Sequence, residues 1–201
     1  MNEQKMRNTG KLSWYNTVMD TTKESIARAI KQCMLKTPLE DITVKEVCSV
    51  ASLSRQTFYR CFQDKYDLIN WYFDTLLNAS FDQMGAGRNI REGLDKKFTY
   101  IQNEKVFFKA AFSYSQQNNL RDHDFEKIFD FYKNLYKEKS GVPLKGTPLD
   151  LLEMYCQSSV YMTAKWILKD CPNTPQKLTE LMVQAMPEEL RNIFNKLDIL
   201  E

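Results

Sequence analysis

The sequence is short of the residues on which several common kinds of site depend. It has one histidine, His123, and its five cysteines (Cys33, Cys48, Cys61, Cys156 and Cys171) include no Cys-x-x-Cys pair. Zinc needs clustered imidazole and thiolate ligands, so no metal site or metal cofactor is expected. An odd number of scattered cysteines argues against a disulfide framework and for reduced, buried thiols in a reducing compartment. Glycine and proline number six each, too few for a disordered Gly/Pro-rich chain or a turn-dense β-sandwich. No apolar run approaches the roughly 18–20 residues of a membrane span, and no charged-then-apolar leader opens the chain. These absences point to a soluble, cytoplasmic protein without a membrane partner.

What is present is a chain of 201 residues, 43% hydrophobic and 27% charged, the balance of a globular protein with a sizeable core. The net charge of +2 is unevenly spread: residues 1–65 hold 11 Lys and Arg against 7 Asp and Glu, a net of +4, and the remainder carries a net of −2. A mildly basic first third suits an anionic partner. Nearly every segment follows helical periodicity and almost none sustains period-two alternation, so the fold class expected is all-α.

Residues 1–20 read as a polar N-terminal extension, 21–65 as a three-helix domain and 66–201 as a helical bundle domain. Helix one opens with Thr21 and Glu24 at capping-box spacing and carries Ile26, Ala29, Ile30, Cys33 and Met34 on one stripe. Thr43 and Glu46 form a second box, with Ile42 and Val47 spaced as a hydrophobic staple. Ser54 is a good N-cap for a third helix, about Ser54 to Phe62, too short to stand without its neighbours. Asp64 caps a fourth. Later stripes are Ile90, Leu94, Phe98 and Ile101, then Val106, Phe107, Ala110 and Ala111, then Phe125, Ile128, Phe129, Tyr132, Leu135 and Tyr136. A long helix from about Leu149 to Lys169 precedes an amphipathic stretch, Pro175 to Leu200, that restarts at Pro187.

Residues 43–62 thus form helix, short turn, helix before a supporting helix, the arrangement of a helix-turn-helix DNA-binding unit. On a wheel of about 100° per residue with Phe58 inward, Phe62, Cys61 and Leu53 cluster with it, while Gln56 and Arg60 point almost directly away. Thr57 and Tyr59 flank that outer face and Arg55 sits at the helix start. Such side chains supply the donors used on guanine and adenine edges and on phosphates. The same face would also serve a solvated helical hairpin, and the wheel leaves both readings open.

The stretch Ile42-Thr43-Val44-Lys45-Glu46-Val47, then Ala51-Ser52-Leu53-Ser54-Arg55-Gln56-Thr57-Phe58-Tyr59-Arg60-Cys61-Phe62, then Asp64-Lys65-Tyr66-Asp67-Leu68, resembles the N-terminal domain of TetR-family transcriptional regulators over roughly residues 22–72. Arg-Gln-Thr-Phe-Tyr with Leu-Ile-Asn-Trp downstream is most similar to the subgroup related to the activator of dihydroxyacetone kinase genes. The resemblance implies that the helix from Ser54 to Phe62 enters the major groove of double-stranded DNA while Thr43, Tyr59 and Lys65 hold phosphates. It also implies a homodimer formed by the last two long helices and an effector cavity in the C-terminal domain. Ser52 stands where many members have glycine, which strains the turn slightly. Cys61 replaces a frequent histidine, which removes one possible phosphate donor.

Other chemistry is thin. Asp122-His123-Asp124 are consecutive, so one helix cannot aim all three at a metal, and they read as a solvated helix start. Gly85-Ala86-Gly87-Arg88 lacks a preceding strand and a third glycine, so it reads as a helix break. Glu188-Glu189 after Pro187 suits a helix N-terminus. With no nucleophile elbow, P-loop or zinc-protease helix, an enzyme is not expected. The aromatic load suggests an effector that is a small apolar or aromatic molecule, or else a coregulator protein, with Phe107, Tyr155 and Trp166 as candidate pocket residues. The competing readings are a helical protein-interaction module and a small-ligand carrier without DNA binding.

Overall fold

The computed structural model describes residues 21–81, 89–114 and 119–200. Among them every regular element is helical: α1 (residues 21–34), a 3-10 turn (Leu39–Asp41), α2 (Val44–Ala51), α3 (Arg55–Cys61), α4 (Lys65–Phe81), α5 (Ile90–Asn103), α6 (Lys105–Ser113), α7 (Leu120–Ser140), α8 (Thr147–Leu168), α9 (Pro175–Ala185) and α10 (Glu188–Lys196). The fold is all-α. Two compact units part after Tyr72, inside α4.

In the first unit α1 buries Ile26, Ala27, Ala29, Ile30 and Met34, at the i, i+3, i+4 spacing of one helical face. Val47 and Cys48 of α2, Phe58 of α3 and Leu68 and Ile69 of α4 complete the core, with Leu39, Ile42 and Phe62 from the connections. Phe62 meets Phe58 at 5.9 Å and Trp71 at 5.5 Å between ring centroids. The Lys23 ammonium lies over both Phe62 and Trp71.

In the second unit α5 lies against α9, and both α6 and α7 against α8. The helix ends are capped as their sequence dictates. Asn89 accepts from the Glu92 amide, Asn119 from Arg121 and Asp122, and Thr174 from Lys177. The first amides of α5 have a second kind of partner: Ile90 and Arg91 donate to the carbonyls of Ile199 and Leu200 at 2.8 and 3.2 Å. The chain's last turn is thereby tied to the start of α5, and the Ile199 and Leu200 side chains are buried.

Two stripes differ from expectation. Val106 is exposed, and α6 instead buries Phe107, Phe108, Ala111 and Phe112. Its run of aromatics offers an apolar group at nearly every angle, so periodicity alone placed the face one residue off. On α7 the inner line is Leu120, Asp124, Ile128, Tyr132 and Leu135, while Phe125, Phe129 and Tyr136 are half-buried.

Asp124 corrects the reading of 122–124 as a solvated helix start. It is fully buried and receives a hydrogen bond from Lys97 Nζ at 2.7 Å; Lys97 itself is 5% exposed. His123 Nε2 lies 2.7 Å from Asp74 Oδ1, and Lys127 Nζ lies 3.0 Å from the other carboxylate oxygen, Oδ2. Only Asp122 of the three is exposed. Burial would push the Asp74 carboxyl up, but the hydrogen bonds from His123 and Lys127 outweigh it and hold the group below its ordinary value.

A buried ion pair is no sure source of stability, yet removing one partner strands the other charge. Asp124→Ala is therefore expected to cost about 3–5 kcal/mol, and the double replacement Lys97→Met with Asp124→Leu much less. Urea denaturation of the two variants measures both values.

Candidate nucleic-acid interface

The unit that presents the predicted DNA-facing residues is assembled from local signals. Thr43 is the N-cap of α2: its Oγ1 accepts from the Glu46 amide at 3.2 Å, and Glu46 Oε2 accepts from the Thr43 amide at 2.8 Å. The Thr43 hydroxyl also donates to that carboxylate oxygen at 2.9 Å. These bonds hold the Glu46 carboxyl below its ordinary value. α2 ends at Ser52, whose φ of 55° lies in the left-handed region and whose amide returns to Cys48 and Ser49.

Ser54 then caps α3, its Oγ accepting from the Thr57 amide at 3.0 Å and pairing with the Thr57 hydroxyl at 2.9 Å. Phe58 is wholly buried and Phe62, the residue after the helix, is 3% exposed. With that side inward, Arg55, Gln56, Tyr59 and Arg60 are exposed and Thr57 is half-buried. Tyr59 is 52% exposed and rests edge-on against Phe58. Seven residues of α3 thus carry one deeply anchored ring and an opposite face of two guanidinium groups, an amide and a phenol.

The expected phosphate contacts fare differently. Tyr59 lies open on the flank of α3. Thr43 is exposed, but its amide and hydroxyl both donate to Glu46, so a phosphate there competes with an internal carboxylate. Lys65, expected to hold a phosphate, turns inward: its Nζ donates to the carbonyls of Leu39, Glu40 and Ile42, each at 2.7 Å. Burial lowers the Lys65 ammonium below its ordinary value, against the carboxylates of Glu40, Asp41, Asp64 and Glu46, which favour its charge. Nothing in the spacing of the sequence signals this contact, because its acceptors are backbone atoms 23 to 26 residues away.

The three aromatic residues named for an effector pocket are all buried but not gathered. Tyr155 donates to the Met182 carbonyl at 3.1 Å and lines a cavity of about 20 Å³ with Phe81, Lys97, Phe98, Phe131 and Tyr132. Trp166 and Phe107 are not among its walls. Trp166 donates from Nε1 to the Asn173 carbonyl at 2.9 Å, and Phe107 packs edge-on against Phe108. Burial pushes the neighbouring Cys156 thiol up to about 12, so it stays protonated. Sequence reasoning missed Lys97, which is among the residues that line the cavity. Among the described residues no group of three or more His, Cys, Asp or Glu is placed to hold a metal ion, and no helix is long and apolar enough to cross a membrane.

Residues 88–188, half of the chain, match the family model for a TetR-type transcriptional regulator C-terminal region. The chain is 28% identical over 112 residues to the HTH-type dhaKLM operon transcriptional activator DhaS of Lactococcus lactis subsp. lactis. That match spans 54% of each protein, so the chain covers about half the length of this curated relative. The solved structure of a dihydroxyacetone kinase operon activator, DhaS, superposes with a TM-score of 0.58 at 19% identity, over 90% of this chain and 98% of that one, which shows a shared fold. A TetR-family regulator from Marinobacter aquaeolei aligns at a TM-score of 0.43 and 16% identity, over 90% and 96% of the two chains.

The left-handed Ser52 offers a direct check of the turn. A side chain costs about 1–2 kcal/mol in that region, and glycine none, less what glycine loses through a freer unfolded chain. Ser52→Gly is expected to stabilise the protein by up to about 1 kcal/mol, read from denaturant midpoints. A loss of stability would mean that the Ser52 side chain has a favourable role that the strain conceals.

Proposed function

The chain belongs to the TetR family of transcriptional regulators, whose members bind DNA, and from that premise we propose that it binds a palindromic operator as a homodimer and is switched through its C-terminal unit. The observation that carries the DNA-reading part is the placement of α3, with Phe58 buried and Arg55, Gln56, Tyr59 and Arg60 exposed. In this reading Gln56 and Arg60 reach base edges and Arg55 assists from the N-terminal end of the helix. Ser54, Thr57, Tyr59 and Thr43 serve the backbone side of the contact. Ser54 and Thr57 do so mainly by shaping the helix start, since their hydroxyls bond each other.

The dimer reading is supported by exposed apolar side chains on α8 and α9. Met154 is 68% exposed and Tyr161 60% exposed on α8, one helical face apart by two turns, with Met162 beside them and Leu181 exposed on α9. A second copy of the chain covers this surface through a two-fold axis, and each protomer presents α3 to one half-site, the half-sites about 34–36 Å or a multiple apart.

Switching by an effector is supported by the aromatic cavity of the second unit. At about 20 Å³ it holds no more than one water molecule, so a small apolar or aromatic effector must widen it. A coregulator protein would act on the outer surface instead. Either acts only by binding the DNA-competent and incompetent arrangements unequally.

Two measurements test this reading. Gln56→Ala is expected to change which base is preferred in the selected half-site, at a cost of about 1–3 kcal/mol on the preferred sequence, with little change in salt dependence. Uniform weakening on all duplexes would mean that α3 is turned otherwise. Light scattering is expected to show a dimer at micromolar concentration and a monomer for Met154→Glu with Tyr161→Glu. A monomeric wild-type protein would contradict the two-fold arrangement.

A further inference from the structure

Lys65 begins α4, and an ammonium group has three N–H bonds to give. Its three acceptors at 2.7 Å are the carbonyls of Leu39, Glu40 and Ile42, so the full donor set is engaged. Two of these carbonyls belong to the 3-10 turn and the third to the residue immediately before Thr43, the N-cap of α2. The contact therefore binds the segment that launches α2 to the first turn of the supporting helix. The surroundings reinforce this. Glu40, Asp41, Asp64 and Glu46 all act electrostatically on Lys65, so a phosphate brought to it would meet four like charges. Taking a phosphate would also strip the carbonyls of donors.

We infer that Lys65 is a positioning residue of the DNA-binding unit, one that pins the 39–42 segment, and through it Thr43 and α2, to the start of α4, and that it takes no DNA phosphate. The inference rests on the DNA-binding reading for its consequence, since a misplaced α2 misplaces the α3 it packs against. The convergence of three bonds is specific to an ammonium. The planar guanidinium of arginine holds its donors in a fixed fork and cannot aim three of them at these carbonyls, although it contacts phosphate at least as well.

The experiment compares Lys65→Met, Lys65→Arg and, as a control lowering the stability of the same unit, Ile26→Val. Amide hydrogen exchange and DNA affinity are measured well below the unfolding temperature. The duplexes are one selected from a random pool by the wild-type protein and a scrambled 30-base-pair duplex. Both Lys65 variants are expected to speed exchange selectively at the amides of residues 41–47 and to bind the selected duplex about tenfold or more weakly. The slope of log affinity against log salt should stay at the wild-type value. Ile26→Val, by contrast, should leave affinity unchanged. Wild-type affinity in Lys65→Arg, with a slope lower by about 0.9 per lost contact in Lys65→Met, would establish a phosphate contact and overturn the inference. So would unaltered exchange at residues 41–47. If the wild-type protein binds neither duplex, the DNA-binding reading falls, while the exchange result still decides whether Lys65 holds the segment.

Discussion

The burial of one ring, Phe58, is the constraint on which the proposed DNA-reading surface depends. α3 has seven residues, too few to be stable by backbone hydrogen bonding alone, so it exists only by leaning on its neighbours. Phe58, with no exposed surface, supplies that contact, and Phe62 extends it past the helix end toward Trp71. Because side chains recur every 100°, fixing this one ring inward settles the outward direction of Gln56 and Arg60. The chemistry of the exposed face is thus a consequence of packing on the hidden one.

The remaining devices of the first unit hold the parts that Phe58 packs among. The reciprocal bonds of Thr43 and Glu46 set where α2 begins, and Ser54 sets where α3 begins. Between them Ser52 accepts a left-handed backbone so that the chain can reverse in two residues. Each contributes of the order of 1 kcal/mol, and none alone specifies the arrangement. They agree with one another, and that agreement makes a short and otherwise marginal motif definite.

Local features were the most legible in the sequence. The Thr43–Glu46 box, the Ser54 cap and the restart at Pro187 depend on residues a few positions apart, and the structure has them where the spacing placed them. The wheel drawn about Phe58 is of the same kind. What escaped were contacts set by tertiary approach. Lys65 reaches backbone carbonyls more than twenty residues away, and backbone acceptors carry no sequence signature. Asp124 lies in an apolar stripe because Lys97, 27 residues distant, meets it there; from the sequence its neighbours Asp122 and His123 made it look solvated. Phe107, Tyr155 and Trp166 are buried as aromatics at helical spacing should be, but which of them borders a cavity depends on how five helices meet.

The central claim is that two copies of this chain present α3 to the two halves of one palindromic site. Selection of bound sequences by the wild-type protein from a pool of random duplexes tests it most directly. The account predicts enrichment of an inverted repeat whose half-site centres are about one helical turn, roughly 10 base pairs, or a multiple of it apart. Enrichment of a single half-site without a symmetric partner, or none at all over the starting pool, would contradict it.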